Sequence, residues 1–91
     1  MSRYSIGANF ERRVKVWLEK QNYFCIRSAG SHSPIDLVAF RAGEVLFVQV
    51  KSDGYLPPAA KQQLIELAQE HKCQAILAKK NGKEIELVEL K

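Results

Sequence analysis

An α/β fold, with a central mixed five-stranded sheet flanked by helices, is predicted by three features of this 91-residue chain. Two segments carry apolar residues at helical spacing, several short segments alternate or run apolar as strands do, and a strand-helix-strand passage occupies the second half. The first helix is expected from Gly7 to about Gln21, where Phe10, Val14, Trp17 and Leu18 share a face while Arg12, Lys15, Glu19 and Lys20 lie elsewhere. At about 100° per residue Glu11 falls beside Val14 and Leu18, at the edge of the apolar stripe, so its carboxylate is expected to point toward the body of the protein.

Strands follow at YFCIRSA, IDLVAF and EVLFVQVKS, the last two joined by a tight RAGE turn as a hairpin. Pro57 and Pro58 suit the start of a second helix, with Ala60, Leu64, Leu67, Ala68 and His71 as its inner face and an end near Lys72. QAILAKK and, past Asn81-Gly82, the alternating EIELVEL complete the set. The passage from VLFVQVK through the second helix to AILAKK predicts a parallel crossover, hence a mixed sheet.

The length and a hydrophobic content of 46% suit one domain spanning residues 1–91. A formal net charge of +4 is mildly favourable toward an anionic partner and selects none by itself. Cys25 and Cys73 stand apart, without CxxC spacing or a histidine cluster, so reduced thiols and a cytoplasmic location are expected and a metal knuckle is not. The chain opens without an apolar leader, and no run approaches the roughly 18 apolar residues of a membrane span.

Chemistry concentrates at the carboxyl end of the third strand, where Gln49 and Lys51 share a face and close an otherwise apolar run. Asp36 interrupts the apolar neighbouring strand, and hairpin pairing brings it toward Gln49. With Glu11 these residues offer oxygen ligands and one cation, the set required where a hard divalent metal activates water beside a phosphodiester. Mg²⁺ held by Asp36 and Gln49 would offset the charge developing at phosphorus while Lys51 polarises the attacking water; the Gln49 amide supplies an oxygen but no charge. The alternatives are a turn-proximal Asp36 satisfied by backbone amides, a Lys51 reaching solvent, and an ordinary surface pair between Glu11 and Lys15. His32 reads as a loop residue, and Tyr55, which could stack on a base or sugar, as an exposed loop tyrosine outside the site.

Pro34-Ile35-Asp36 followed by Gln49-Val50-Lys51 resembles the PD-(D/E)XK nuclease pattern with one substitution, Gln49 standing where a glutamate is usual. GANFERRVKVWLEKQNYFCIRSAGSHSPIDLVAF, with its Glu-Arg pair and RSAGS segment, is similar to the opening of the archaeal-type Holliday junction resolvases, and the likeness extends through LIELAQEHKCQAILAKK. The resemblance implies a restriction-endonuclease-like fold and a divalent-metal endonuclease acting on four-way DNA junctions. Glu11 would complete the site, with Asp36 the main metal ligand, Gln49 and Glu11 further ligands, and Lys51 the catalytic lysine. It also makes Ser31 a hydroxyl near the scissile phosphate, and Arg12 and Arg27 phosphate contacts. Arg3 and Arg13 join the candidate DNA contacts. Mg²⁺, with Mn²⁺ as substitute, is the implied cofactor, and branched DNA the partner, with no membrane and no small-molecule substrate. A homodimer is implied as well, with Leu67 and His71 on its surface. The alternatives are another nuclease of the same superfamily acting on duplex or forked DNA, and a branched-DNA-binding protein silenced by Gln49.

Overall fold

In the computed structural model the backbone is described for residues 3–29 and 33–91, and side chains from residue 9 onward within those ranges. Helix α1 (Arg3–Lys20) is followed by β1 (Phe24–Arg27), β2 (Leu37–Arg41) and β3 (Glu44–Val50), then α2 (Pro58–Glu70), β4 (Gln74–Asn81) and β5 (Glu84–Leu90). The five strands form one sheet in the order β1-β2-β3-β4-β5. All neighbours are antiparallel except β3 and β4, which α2 connects as a parallel crossover.

Each helix packs on its own face of this sheet. Phe10, Val14 and Leu18 of α1 are buried with Cys25, Leu37, Ala39, Leu46, Val48, Ile76 and Ala78, the alternate residues of four adjacent strands. Leu64, Ile65 and Ala68 of α2 pack with Ala75, Phe47 and Ile35 on the other face. Pro58, at the first helical position, has a fixed φ suited to that start, and its missing N–H is no loss there.

Several expected boundaries shift. Helix α1 begins at Arg3 rather than Gly7, and β1 is confined to Phe24–Arg27, although Ser28 N–H still donates to the Asp36 carbonyl at 2.9 Å. Helix α2 ends at Glu70, and its inner face turns on Leu64, Ile65 and Ala68, with Leu67 half-buried and His71 exposed. The stripe chosen from sequence missed Ile65, because Leu64 and Ile65 together centre the buried arc where Ala60 and His71 would have widened it.

Tyr23, Arg41 and Glu44 tie the end of α1 to the hairpin tip. The Tyr23 hydroxyl donates to Glu44 Oε1 at 2.6 Å, Arg41 Nε donates to Glu44 Oε2 at 2.7 Å, and the Arg41 guanidinium lies 4.3 Å from the centre of the Tyr23 ring. Arg41 also donates to the Gln21 carbonyl at 2.8 Å. Between the paired residues Arg41 and Glu44 the turn has only Ala42 and Gly43, and Gly43 takes a φ of 75° that favours glycine.

Candidate active site

The hairpin register builds the site. Leu37 with Val48 is the last pair of the β2–β3 register, and Asp36, one residue earlier, donates its N–H to the Val48 carbonyl at 2.8 Å, which brings it to the Gln49 end of β3. The Val50 N–H donates to Asp36 Oδ2 at 2.7 Å, fixing the carboxylate against the backbone between Gln49 and Lys51. This amide is a positioning group that no side-chain pattern announces. Lys51 N–H donates to the Ala78 carbonyl at 3.0 Å, which anchors the lysine to the parallel neighbour β4.

The electrostatics of Asp36 record its surroundings. Burial pushes its carboxyl above the usual range, the Val50 hydrogen bond opposes that shift, the negative charge of Glu11 adds to it, and the Lys51 ammonium opposes it. Glu11 of α1 and Lys51 at the end of β3 therefore both act on Asp36. The half-buried Gln49 side chain is carried by the same strand end.

Glu11 lies at the edge of the buried face of α1, as expected, but its partner is not Lys15. Arg27 Nε on β1 donates to Glu11 Oε1 at 2.9 Å, while Lys15 pairs with Glu19 one turn on at 3.0 Å. The half-exposed Arg27 guanidinium thus holds the carboxylate and still reaches solvent. The proximity of Arg27 to Glu11 crosses two elements, and the packing of α1 on β1 brings it about.

The remaining candidates are dispersed. Arg12 is exposed on α1. Arg13 points elsewhere: it donates to the Lys83 carbonyl at 3.2 Å and sits in a groove between α1 and β5 lined also by Trp17, Glu84 and Ile85. Ser31 lies outside the described residues, as does the side chain of Arg3.

Glu11, Asp36 and Gln49 supply only oxygen, a donor set that suits a hard divalent cation, and the burial of Asp36 beside the charge of Glu11 makes a positive ion favourable there. Among the described residues no three His, Cys, Asp or Glu side chains gather as a metal cluster.

The family model of the archaeal Holliday junction resolvases, Hjc, matches residues 2–91. The chain belongs to this family. Among Hjc proteins, a crossover junction endodeoxyribonuclease of Methanocaldococcus jannaschii is 48% identical over 50 residues, 55% of this chain. The match spans only 37% of that relative's length. The structure of Archaeoglobus fulgidus Hjc, a Holliday junction resolvase from an archaeal hyperthermophile, is similar with a TM-score of 0.81 and 29% identity, over 92% of this chain and 77% of that one. The mixed sheet with a helix on each face is thus the Hjc fold, and the PID segment carries Asp36 within it.

Proposed function

We propose that this chain is a divalent-metal-dependent endonuclease that recognises four-way DNA junctions and hydrolyses phosphodiesters symmetrically at them, as a cytoplasmic homodimer. The observation that carries the reading is the Asp36 carboxylate, held at 2.7 Å on the Val50 amide between Gln49 and Lys51. Family membership and the crossover-junction activity named for the Methanocaldococcus jannaschii relative support it.

Asp36, Gln49 and Glu11 would hold Mg²⁺ or Mn²⁺, and such an ion supplies Lewis-acid stabilisation of charge at phosphorus. The Lys51 ammonium orients a water for in-line attack and adds positive charge where negative charge develops. Arg27 holds Glu11 in place and presents its remaining guanidinium donors to a phosphate, a planar match that lysine lacks. Arg3, Arg12 and Arg13 contribute backbone contacts, and Ser31 a hydroxyl at the scissile phosphate.

The sheet supports the dimer. Phe24 pairs with Phe40 and Phe40 with Val45, so the three side chains form one cross-strand row; Ile26, Val38 and Phe47 form the next. Helix α2 packs on Phe47 and leaves Phe24, Ile26, Phe40 and Val45 exposed, with Phe24 and Phe40 ring centres 5.3 Å apart. His71 contacts Phe47 edge-on at 6.4 Å, which joins the exposed end of α2 to this apolar face. A two-fold copy covering both faces would place two like sites on two strands of a symmetric junction.

Cleavage of a labelled synthetic four-way junction and of a duplex of equal sequence, with Mg²⁺ and then Mn²⁺, tests the proposal. Paired symmetric nicks specific to the junction are expected, and Asp36→Asn and Lys51→Ala should each abolish them while junction binding persists. The neutral Gln49 favours one second reading, a junction-binding protein without catalysis; binding with no nicks under either metal would establish it.

A further inference from the structure

The segment between β3 and α2 is short, exposed in part and tightly fixed. Lys51 N–H donates to the Ala78 carbonyl at 3.0 Å and Lys80 N–H to the Ser52 carbonyl at 3.2 Å, so β4 clamps the start of the segment from the side. Gly54 N–H closes a turn onto the Lys51 carbonyl at 2.9 Å, and Tyr55 N–H donates to Asp53 Oδ1 at 3.0 Å. Gly54 has a φ of 79°, and the Lys79 stem lies so close that a Cβ on Gly54 would stand 3.0 Å from Lys79 Cδ. Pro57, with φ −54° and ψ 145°, and Pro58 at the start of α2 restrict the other end.

Tyr55 stands on this clamp with 64% of its surface exposed. Its ring belongs to neither core cluster, and among the described residues its hydroxyl has no hydrogen-bond partner. An aromatic side chain gains nothing for the fold in that position, yet its backbone is held as firmly as a strand end. It follows Lys51 by one turn of chain, and the Lys79 stem crosses the same turn. An exposed aromatic ring on a fixed backbone, with the Lys79 stem crossing the turn beside it, is an arrangement suited to unstacked nucleotides, the ring stacking on a base and a cation meeting the backbone.

We propose that Tyr55 is a specificity-determining residue, a platform that stacks on a base exposed at the branch point of a DNA junction, with Lys79 meeting the adjacent phosphate. The inference rests on the junction-cleaving reading and names the contact that separates branched DNA from continuous duplex. A continuous duplex offers no base face to Tyr55, whereas a four-way junction held open at its branch point exposes a face of each flanking base pair. Preference for branched DNA therefore resides partly in this ring, and the arginines on α1 and β1 contribute affinity without regard to branching.

The test uses a four-way junction with 2-aminopurine at the branch point, a second with 2-aminopurine within one arm, and a matched duplex, each titrated with the full chain in Ca²⁺ at low salt. Binding of the wild-type protein should change fluorescence at the branch point and not in the arm. Tyr55→Ala should abolish that change and weaken junction binding by roughly 5- to 150-fold while duplex binding stays constant. Tyr55→Phe should retain both, since the ring and not the hydroxyl stacks. A branch-point signal that survives in Tyr55→Ala overturns the inference, as does an equal loss on junction and duplex. Failure of the wild-type protein to bind the junction at all overturns the junction-cleaving reading itself, and this inference with it.

Discussion

Restoring a carboxylate by Gln49→Glu should have opposite effects on the protein with and without metal. Asp36 is bonded to the backbone on either side of residue 49, through the Val48 carbonyl and the Val50 amide, which puts a carboxylate at 49 on the order of 5 Å from that of Asp36. Two unit negative charges at that distance repel by about 3 kcal/mol at an effective dielectric constant near 20, with solvent at the strand end reducing this toward about 1 kcal/mol. The metal-free variant should therefore be destabilised, with a thermal midpoint lower by several degrees for a chain of this size. A divalent ion reverses the sign, because the new carboxylate is attracted to a double charge at ligand distance, more strongly than it is repelled by Asp36. Metal affinity should rise at least about tenfold, equivalent to about 1.4 kcal/mol. Calorimetric titration with Mn²⁺ and thermal melts with Mg²⁺ or a chelator measure both halves of the crossing. A variant whose metal affinity is unchanged or lowered would refute the ligand role of residue 49, and one with an unaltered metal-free midpoint would refute its placement beside Asp36.

Three further outcomes follow from other parts of the molecule. The Tyr23 hydroxyl, and then Arg41, hold the Glu44 carboxyl below its usual range, so this network stabilises the fold above the unfolded-state pKa of glutamate and its contribution fades as pH falls through the lower folded value; Tyr23→Phe should melt below the wild type at pH 7 and converge with it near pH 3. Leu64 of α2 is fully buried against the sheet, and Leu64→Ala should cost roughly 2–5 kcal/mol, lowering the melting temperature by more than about 8 °C. Phe24→Ser, on the exposed apolar row, should leave the melting temperature at low protein concentration nearly unchanged and shift sedimentation toward the monomer; a persistent dimer would place the interface elsewhere.

What the sequence disclosed depended on how local the cause was. Alternation and helical spacing are local, and they located every strand, both helices and the parallel crossover. That Asp36 comes to the Gln49 end of β3 was also legible, since a turn as short as Ala42-Gly43 leaves one arithmetic solution for the register of the hairpin. Glu11 was placed correctly at the edge of its stripe, yet its partner was not readable: Lys15 had a nearer carboxylate in Glu19, and Arg27 arrives from another element. The Val50 amide was beyond any residue pattern, because every residue but proline carries the same N–H. The inner face of α2 was misjudged at His71 because the helix ends at Glu70, and the capping His71 meets the sheet only edge-on at Phe47 while staying exposed.

The two-residue connection between β2 and β3 has a meaning beyond its own geometry. Asp36 lies at one end of that hairpin and the turn at the other, with the whole of β2 between them. Adding or removing a single turn residue slides β2 along β3 by one position, which takes the Asp36 carboxylate off the Val50 amide and exchanges the faces of the sheet that the β2 side chains meet. Loop length far from the scissile bond is thereby a parameter of the chemistry, and a sequence change at Ala42-Gly43 that left every site residue intact could still dismantle the site.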